Sequence, residues 1–193
     1  MFGDWYNWSV ELFGIVLTGI AIKTMDDLLD VEYDQCVGRF TIAGKLGKAV
    51  MPYALLILGI GVFVAEEIAL ALFLASYSIG MGHDLFERMP TRLPGWAESL
   101  IALVVGMLLT GPLPMVWGVL IMAGVQFLDD LVDIYKDSQS GQRNSAVQLG
   151  VVETTLLTLI CFLGAVLMNA SDSVLVLLAT PLVHMILEML GGD

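Results

Sequence analysis

The stretch DDLLDVEYD (residues 26–34) has a near copy in DDLVDIYKD (residues 129–137), 103 residues further along the chain. Both reduce to the pattern D-D-L-x-D-x-x-x-D, and each closes a long apolar segment. Positions i, i+3 and i+7 of a helix share a face. The pattern therefore predicts two rows of carboxylates, made by Asp27, Asp30 and Asp34 and by Asp130, Asp133 and Asp137. Like charges gathered in this way repel one another unless a cation lies between them.

The composition of the chain indicates a membrane protein. Apolar residues make up 58% of its 193 residues and charged residues only 15%, whereas soluble domains carry roughly 25% charged residues. A membrane span needs about 20 apolar residues. Segments of about that length cover residues 8–30, 49–65, 67–83, 97–112, 114–136, 149–168 and 172–190. We predict an all-α, polytopic helical bundle with about seven transmembrane helices, formed as one domain over residues 1–193.

The position of the charges predicts how the bundle is oriented. All eight basic residues fall on the side of the predicted spans that holds both acidic motifs: Lys23, Arg39, Lys45, Lys48, Arg88, Arg92, Lys136 and Arg143. Basic loops favour the cytoplasmic side. We therefore expect a multi-pass protein of the plasma membrane with its N-terminus outside and with its C-terminus and both motifs at the cytoplasmic face. Lys45 and Lys48 are expected to contact lipid headgroups.

The constant offset between the two motifs indicates an internal duplication. Spans one to three would correspond to spans five to seven, with span four as the connector, so both motifs end helices that point the same way. Repeats of this kind often place a ligand at their interface. The net charge of −12 argues against nucleic-acid binding.

Four other residues have more ordinary interpretations. Cys36 and Cys161 lie in no metal-binding or redox spacing and are expected to be unpaired thiols. His184 and Glu188 lie one helical turn apart, as zinc ligands can, but no third ligand is near them in the sequence. A paired or interfacial role is therefore favoured for both.

Two rows of carboxylates fit divalent-cation chemistry. Mg²⁺ prefers oxygen ligands and usually takes one or two carboxylates together with substrate phosphates and water. Two rows facing each other suit two or three Mg²⁺ ions that clamp a diphosphate and neutralise its charge as it leaves. The basic residues expected to bind that diphosphate are Lys23, Arg39, Arg88 and Arg143. Asp26 and Asp129 lie about 100° round the helix from Asp27 and Asp130 and are predicted to support the ligands or to be solvated.

These residues resemble the motifs of the UbiA-type intramembrane aromatic prenyltransferase superfamily. The first family motif is N-D-x-x-D-x-x-x-D, and residues 26–34 are similar to it with Asp in the leading position. RFTIAG (residues 39–44) resembles the R-P-x-x-x-G block that follows in the family, without its proline. HDLFERMPTRLP (residues 83–94) is similar to the central block Y-x-x-x-K-R-x-T-x-x-P, with Glu87 where Lys is common.

The second family motif is D-x-x-x-D-x-x-x-G-x-[KR]-[ST]-x-A-x-x-x-G, and residues 133–150 resemble it with the hydroxyl one place later, at Ser145. The resemblance spans roughly residues 20–150. It implies a helical membrane fold, Mg²⁺ dependence and prenyl transfer from an isoprenyl diphosphate. It also implies that the loops after spans one and five cover the active site. The family usually has nine spans, so a homo-oligomer that supplies the missing wall is one arrangement open to a seven-span chain.

The resulting hypothesis is an Mg²⁺-dependent prenyltransferase that moves an isoprenyl group to a lipophilic acceptor, such as an aromatic compound or quinone precursor, in the membrane. Its catalytic residues would be Asp27, Asp30, Asp34, Asp133 and Asp137, and the metal ligands would be these together with Asp130. Two alternatives stay open. One is a membrane terpene synthase of the same superfamily, and the other is a divalent-cation transporter or cation-binding membrane protein.

Overall fold

The computed structural model describes residues 2–36, 38, 41–81 and 85–191, without the side chains of residues 2–6 and of Asp34. The regular secondary structure of the described residues is α-helical, apart from one isolated bridge between Arg88 and Pro94 and a 3₁₀ turn at Gly47–Ala49, and turns or bends connect the helices. The helices are α1 (Phe2–Leu29), α2 (Val31–Cys36), α3 (Ile42–Leu46), α4 (Val50–Val64), α5 (Glu66–Gly80), α6 (Gly95–Thr110), α7 (Pro112–Val132), α8 (Ile134–Ser140), α9 (Ser145–Leu149), α10 (Val151–Met168) and α11 (Ala170–Gly191). The predicted all-α class is confirmed for this part of the chain.

A helix covers each of the seven apolar segments, namely α1, α4, α5, α6, α7, α10 and α11. Four stretches are long and apolar enough to cross a membrane by length and composition: Ile42–Val64, α7, α10 and α11. Helix α6 is apolar but shorter. The chain therefore has the character of a multi-pass membrane protein.

Local signals explain where several of these helices begin and end. Gly111 ends α6 with a φ of 90°, a conformation that glycine adopts without a steric penalty. Pro112 then occupies the first turn of α7, where its missing N–H costs nothing. Gly150, with a φ of 108°, makes the corresponding sharp turn between α9 and α10.

Several helix boundaries repeat the offset of the two motifs, as the predicted duplication requires. Helices α1 and α7 end at Leu29 and Val132, and α2 and α8 begin at Val31 and Ile134, which keeps the offset of 103 residues in each case. The short helices after the motifs also correspond. Thr41 caps α3 by accepting a hydrogen bond from the N–H of Gly44 at 3.3 Å, and its counterpart Asn144 caps α9.

Helix packing follows the same two-fold plan. The most extensive contacts join α1 to α4 in the first half and α7 to α10 in the second. The third long helix of each half packs on the first helix of the other half. Helix α5 contacts α7, and α11 contacts α1. Helix α6 connects the halves and packs on α5 and α7.

The buried core lies where the halves cross. It includes Ile15 of α1, Leu72 of α5 and Val176 of α11, together with Trp117 and Ile121 of α7. The indole N–H of Trp117 donates to Ser173 Oγ at 2.9 Å, which satisfies both buried groups. Cross-packing of this kind leaves space between the halves at each end of the bundle, and the candidate site lies at one of them.

Candidate functional site

Both acidic motifs lie at a bend between two helices. The bend falls at Asp30 between α1 and α2, and at Asp133, with φ −93° and ψ 9°, between α7 and α8. The backbone hydrogen bonds continue through it, since Asp133 N donates to Asp129 O at 2.9 Å and Asp30 N to Asp26 O at 3.1 Å. Carboxylates at a helix C-terminus oppose the helix dipole, and neither last turn holds a basic residue to offset them. The predicted rows of carboxylates are therefore interrupted at their middle member.

In the second motif, Asp130 is held by its own chain. The side chain is 4% exposed. Its Oδ2 accepts a hydrogen bond from the backbone N–H of Ser145 at 2.8 Å, and its Oδ1 accepts one from Gln126 Nε2 at 3.2 Å. The carboxylate of Asp130 thus attaches the N-terminus of α9 to α7.

Asn144 completes this attachment. Its Nδ2 donates to the backbone oxygen of Asp130 and to Oδ2 of Asp137, at 2.7 Å in both cases. Its Oδ1 accepts from Val147 N at 3.0 Å and so caps α9. At 1% exposure Asn144 is buried, and it joins α7, α8 and α9 through one side chain.

The electrostatic surroundings of Asp137 disfavour its charged form. Burial of the Asp137 carboxyl raises its pKa, and the nearby charges of Asp133 and Asp130 add to that rise. The hydrogen bond from Asn144 and the charge of Lys136 act in the opposite direction and offset it only in part. Lys136 Nζ also pairs with Asp133 Oδ1 at 2.6 Å. A bound cation would favour the charged form of both carboxylates.

In the first motif, Lys23 lies among the carboxylates. Its Nζ is 2.9 Å from Asp26 Oδ2 and 3.6 Å from Asp27 Oδ1, and Asp27 is 7% exposed. Asp30 is partly buried at the bend. The backbone of Asp34 belongs to α2, while its side chain and all of Arg39 lie outside the described residues.

The structure brings the ends of the two motifs together, because α2 packs against α8. A third segment reaches the same region. Residues 85–96 form a small hairpin in which the N–H groups of Gly95 and Trp96 donate to the backbone oxygens of Glu87 and Leu85. Arg143 Nη2 lies 3.3 Å from Glu87 Oε1, so the hairpin meets the loop after the second motif. Arg88 is exposed on this hairpin.

A cavity of about 400 Å³ lies between the halves at the motif end of the bundle. Its walls come from α1, α4, α5, α7 and α11 and are mainly apolar. The charged and amide side chains that line it are Lys23, Asp26, Gln126, Asp129 and His184. His184 Nε2 is 3.6 Å from Asp129 Oδ1, which agrees with the paired role favoured for this histidine. The two motifs therefore share one hollow.

The carboxylates that line this hollow are Asp26 and Asp129, the first members of the motifs. The sequence predicts only a supporting or solvated role for them. A signal for them exists in the sequence. Gly19, Ile22 and Lys23 precede Asp26 at helical spacing, and all four line the cavity. Met122, Val125 and Gln126 have the same relation to Asp129. Tracing the apolar stripe up to each motif would have identified the face that meets the cavity.

Corresponding positions of the two halves line the same cavity, and some differ in chemistry. Lys23 corresponds to Gln126, and Met81 corresponds to His184. The largest difference lies on the third helices, where Phe73 and Tyr77 of α5 correspond to Val176 and Thr180 of α11. Helix α5 thus forms an aromatic wall of the cavity, whereas the corresponding residues of α11, a valine and a threonine, carry no ring.

A buried acid that the sequence argument did not identify lies next to this aromatic wall. Glu98, in the first turn of α6, is 7% exposed. Its Oε2 accepts a hydrogen bond from Tyr77 OH at 2.5 Å, and its Oε1 accepts one from the hydroxyl of Thr91. Beside it, Ser78 and Ser99 exchange hydrogen bonds from their hydroxyls to each other's backbone oxygens. These bonds fix α5 against α6.

A second cavity, of about 530 Å³, lies at the opposite end of the bundle. It is lined by the acidic residues Glu11, Glu66, Glu67 and Asp172. Asn169 also lines it and donates from Nδ2 to Asp172 Oδ2 at 2.6 Å. Acidic residues therefore line a hollow at both ends of the bundle.

The donor set at the motif end suits Mg²⁺ only in part. Within the described side chains, no three His, Cys, Asp or Glu residues are close enough to hold a metal ion together. Several motif carboxylates are instead occupied by protein donors, as Asp130 and Asp137 show. The ligands are nevertheless hard oxygen donors, and Mg²⁺ commonly needs only one or two carboxylates when a substrate phosphate supplies the rest. The set fits an ion that arrives together with a phosphate-bearing ligand.

Comparison with known proteins gives no relative from which a function can be transferred. No family model, no curated protein and no solved structure matches this chain.

Proposed function

We propose that the protein is an Mg²⁺-dependent prenyltransferase. It moves an isoprenyl group from a prenyl diphosphate to a lipophilic acceptor. Both substrates would enter the cavity between the two halves from the membrane. The observation that supports this most is the composition of the cavity at the motif end, which is apolar along its walls and lined at one end by side chains from both acidic motifs. A molecule with a charged head and an apolar tail has the matching polarity.

The size of the cavity agrees with a small amphiphile. Small-molecule sites usually enclose about 300 to 1,000 Å³, and the cavity encloses about 400 Å³. The isoprenyl tail would lie along Leu55, Leu72 and Val176, which line the apolar part. The diphosphate would lie near Asp26 and Asp129, where the two motifs meet the cavity.

The motif carboxylates would bind the diphosphate indirectly, by holding Mg²⁺ against it. Asp26 and Asp129 face the cavity, and Asp30, Asp133 and Asp137 lie at or beyond the bends, where α2 and α8 meet. When bound, Mg²⁺ supplies charge neutralisation on the oxygens of the leaving diphosphate. One carboxylate from each motif would be enough, because Mg²⁺ usually takes only one or two carboxylates when substrate phosphates and water supply its other ligands.

Cations of the chain would complete the diphosphate site. Lys23 lines the cavity and lies between Asp26 and Asp27. Arg143 and the hairpin that carries Arg88 meet through Glu87. Arg39 lies outside the described residues and is predicted to lie in the loop after the first motif. Guanidinium groups bind phosphate oxygens in pairs, so these arginines would bind the diphosphate after substrate entry.

The proposal includes a topology. We place all seven helices over the apolar segments across the membrane, with the N-terminus outside and both motifs at the cytoplasmic face of the plasma membrane. The distribution of the eight basic residues supports this orientation. The diphosphate then stays at the aqueous edge while the isoprenyl tail and the acceptor enter from the lipid.

The direct test uses purified protein in nanodiscs with Mg²⁺ and geranyl, farnesyl, geranylgeranyl or octaprenyl diphosphate. The expected result is release of diphosphate and a prenylated product when a phenolic acceptor is present. A matched variant, Asp129→Asn, should keep its fold and lose most of this activity. If none of the donors is consumed or bound, the proposal is wrong. A hydrocarbon or terpene alcohol formed without acceptor would identify a terpene synthase instead.

The second, acidic cavity favours one other candidate function, a divalent-cation transporter. Carboxylates line hollows at both ends of the bundle, and an apolar layer that includes Ile15, Leu72 and Trp117 lies in the core between them. Transport predicts Mg²⁺ or Mn²⁺ flux into liposomes without any diphosphate. Flux that persists in Arg143→Ala and stops in Glu67→Gln would favour this function.

A further inference from the structure

The aromatic wall of the cavity carries a second feature of the site. Phe73 and Tyr77 lie one turn apart on α5, so their rings lie on the same face of the helix, and both line the cavity. The corresponding positions of the second half, Val176 and Thr180, also line the cavity but carry no ring. The two rings are therefore a feature of the first half alone.

Tyr77 lies at the charged end of the cavity. It is three residues from the end of α5 at Gly80, as Asp26 is three residues from the end of α1 at Leu29. Both helices run toward the motif end of the bundle, and both side chains line the same cavity. The core residues Ile15 and Leu72 line it further from the motifs. The phenol ring is therefore close to the region proposed for the diphosphate.

Glu98 holds this ring in one orientation. The hydroxyl of Tyr77 donates to Oε2 of Glu98 at 2.5 Å, and the hydroxyl of Thr91 binds the other oxygen. The carboxylate is buried at 7% exposure. A hydrogen bond to an ionised acceptor is roughly twice as strong as a neutral one, so the ring is well anchored. Donation to a carboxylate also shifts electron density toward the phenol oxygen and the ring.

We propose that Tyr77 contacts the substrate and stabilises positive charge on the prenyl group, with Glu98 as its positioning residue. This rests on the proposed function. When the C–O bond of an allylic diphosphate breaks, both bonding electrons leave with the diphosphate oxygen and the allylic carbons carry a positive charge. The face of an electron-rich aromatic ring attracts such a charge within about 6 Å. Phe73, one turn deeper, extends the same surface along the chain of the cation.

A purely structural role for Tyr77 makes a different prediction. If its only task is to join α5 to α6, then Tyr77→Phe and Tyr77→Leu lose the same hydrogen bond and should be equally impaired. If the ring stabilises charge, Tyr77→Phe keeps most of the effect and Tyr77→Leu loses it. Phe63→Leu is the matched control, since Phe63 is 90% exposed on α4 and lines neither cavity described above.

The first arm of the test measures turnover of geranyl diphosphate by purified protein. An aromatic contact with a cation contributes enough for roughly a threefold to thirtyfold rate effect. Tyr77→Leu should lower kcat by that factor with little change in KM, while Tyr77→Phe should stay within about threefold of the wild type. Glu98→Gln should fall between them, and Phe63→Leu should match the wild type. Equal losses in Tyr77→Phe and Tyr77→Leu would overturn the proposal.

The second arm does not depend on turnover. It compares, by calorimetry, binding of a geranyl-type quaternary ammonium compound and of an uncharged compound of the same shape. The wild type should bind the ammonium compound at least threefold more tightly, and Tyr77→Leu should lose the difference. No preference in the wild type would overturn the proposal, even if Tyr77→Leu does not fold. A preference that depends on Tyr77, in a protein that consumes no prenyl diphosphate, would sustain the cation site and reject the prenyltransferase.

Discussion

Asn144 and Asp137 are joined by a 2.7 Å hydrogen bond from the amide Nδ2 to the carboxylate Oδ2. The same amide nitrogen binds the backbone oxygen of Asp130, and the amide oxygen caps α9. One buried side chain therefore determines how the second acidic motif and the loop after it are arranged. The side chain of Thr41, the counterpart in the first half, is described in one hydrogen bond, the cap of α3.

This difference predicts unequal costs for two equivalent substitutions. Asn144→Ala removes a helix cap and two buried hydrogen bonds, and we expect it to lower stability by about 2 to 4 kcal/mol. Thr41→Ala removes only a cap and should cost about 1 kcal/mol. Thermal denaturation of both variants in the same detergent measures the difference. Equal losses would show that Asn144 is no more than a cap.

The neighbouring aspartates of the second motif should separate stability from activity. Asp130 is buried and accepts hydrogen bonds from Ser145 N and Gln126 Nε2. Asp130→Asn replaces one of the two acceptor oxygens by an NH₂ group that faces a donor, and it should cost about 1 to 3 kcal/mol. Asp129 lines the cavity instead. Asp129→Asn should leave the melting temperature nearly unchanged and lower the rate of donor consumption by roughly a hundredfold, in the range of a lost electrostatic contribution.

Thermal melting followed by circular dichroism, and diphosphate release measured on the same preparations, test these two variants against each other. The reverse pattern, with Asp129→Asn unstable and Asp130→Asn stable but inactive, would restore Asp130 as a metal ligand. That pattern would also show that the face of α7 carrying Asp129 is not the face that meets the substrate.

The sequence predicts the fold better than it predicts the site. Apolar segment lengths and breaks such as Gly111-Pro112 are local, so each predicted span falls on a helix. The repeat is equally visible, because an offset of 103 residues relates both the motifs and the helix ends. The bends at Asp30 and Asp133 are harder to anticipate, since the same residues also fit a continuous helical face.

The parts of the site that the sequence does not reveal depend on contacts between distant residues. Glu98 and Tyr77 lie 21 positions apart on different helices, and Arg143 meets Glu87 across 56 positions. No spacing rule connects such pairs, because their meeting depends on how α5, α6 and the hairpin pack. The choice of Asp26 and Asp129 as cavity residues likewise depends on the rotation of α1 and α7, which is set by packing between the halves.

Metal binding should depend on the substrate. No three described carboxylate, imidazole or thiol groups gather closely enough to hold an ion, so Mg²⁺ alone is expected to bind weakly. A prenyl diphosphate supplies the missing oxygens, and its presence should tighten the apparent affinity by at least about tenfold, a coupling within the usual range for linked ligands.

Mn²⁺ electron paramagnetic resonance, with and without a non-hydrolysable farnesyl diphosphate analogue, measures this coupling. Asp129→Asn should weaken it, whereas Glu67→Gln at the opposite end of the bundle should leave it unchanged. Tight binding of Mn²⁺ without the analogue would mean that the motifs form a complete metal site by themselves.

The close approach of α1 to α4 predicts a sharp difference between two glycines of one helix. A Cβ at Gly61 would lie 2.7 Å from Thr18 Oγ1 and 3.3 Å from the backbone oxygen of Gly14, and that oxygen already accepts a hydrogen bond from Thr18. A Cβ at Gly59 would meet nothing within 4 Å. Gly61→Ala should therefore lower stability by about 1 to 3 kcal/mol, while Gly59→Ala should be neutral or stabilise by up to about 1 kcal/mol through helix propensity. Thermal denaturation of the two variants side by side tests the packing of the first half, and an unaffected Gly61→Ala would show that α1 and α4 lie further apart.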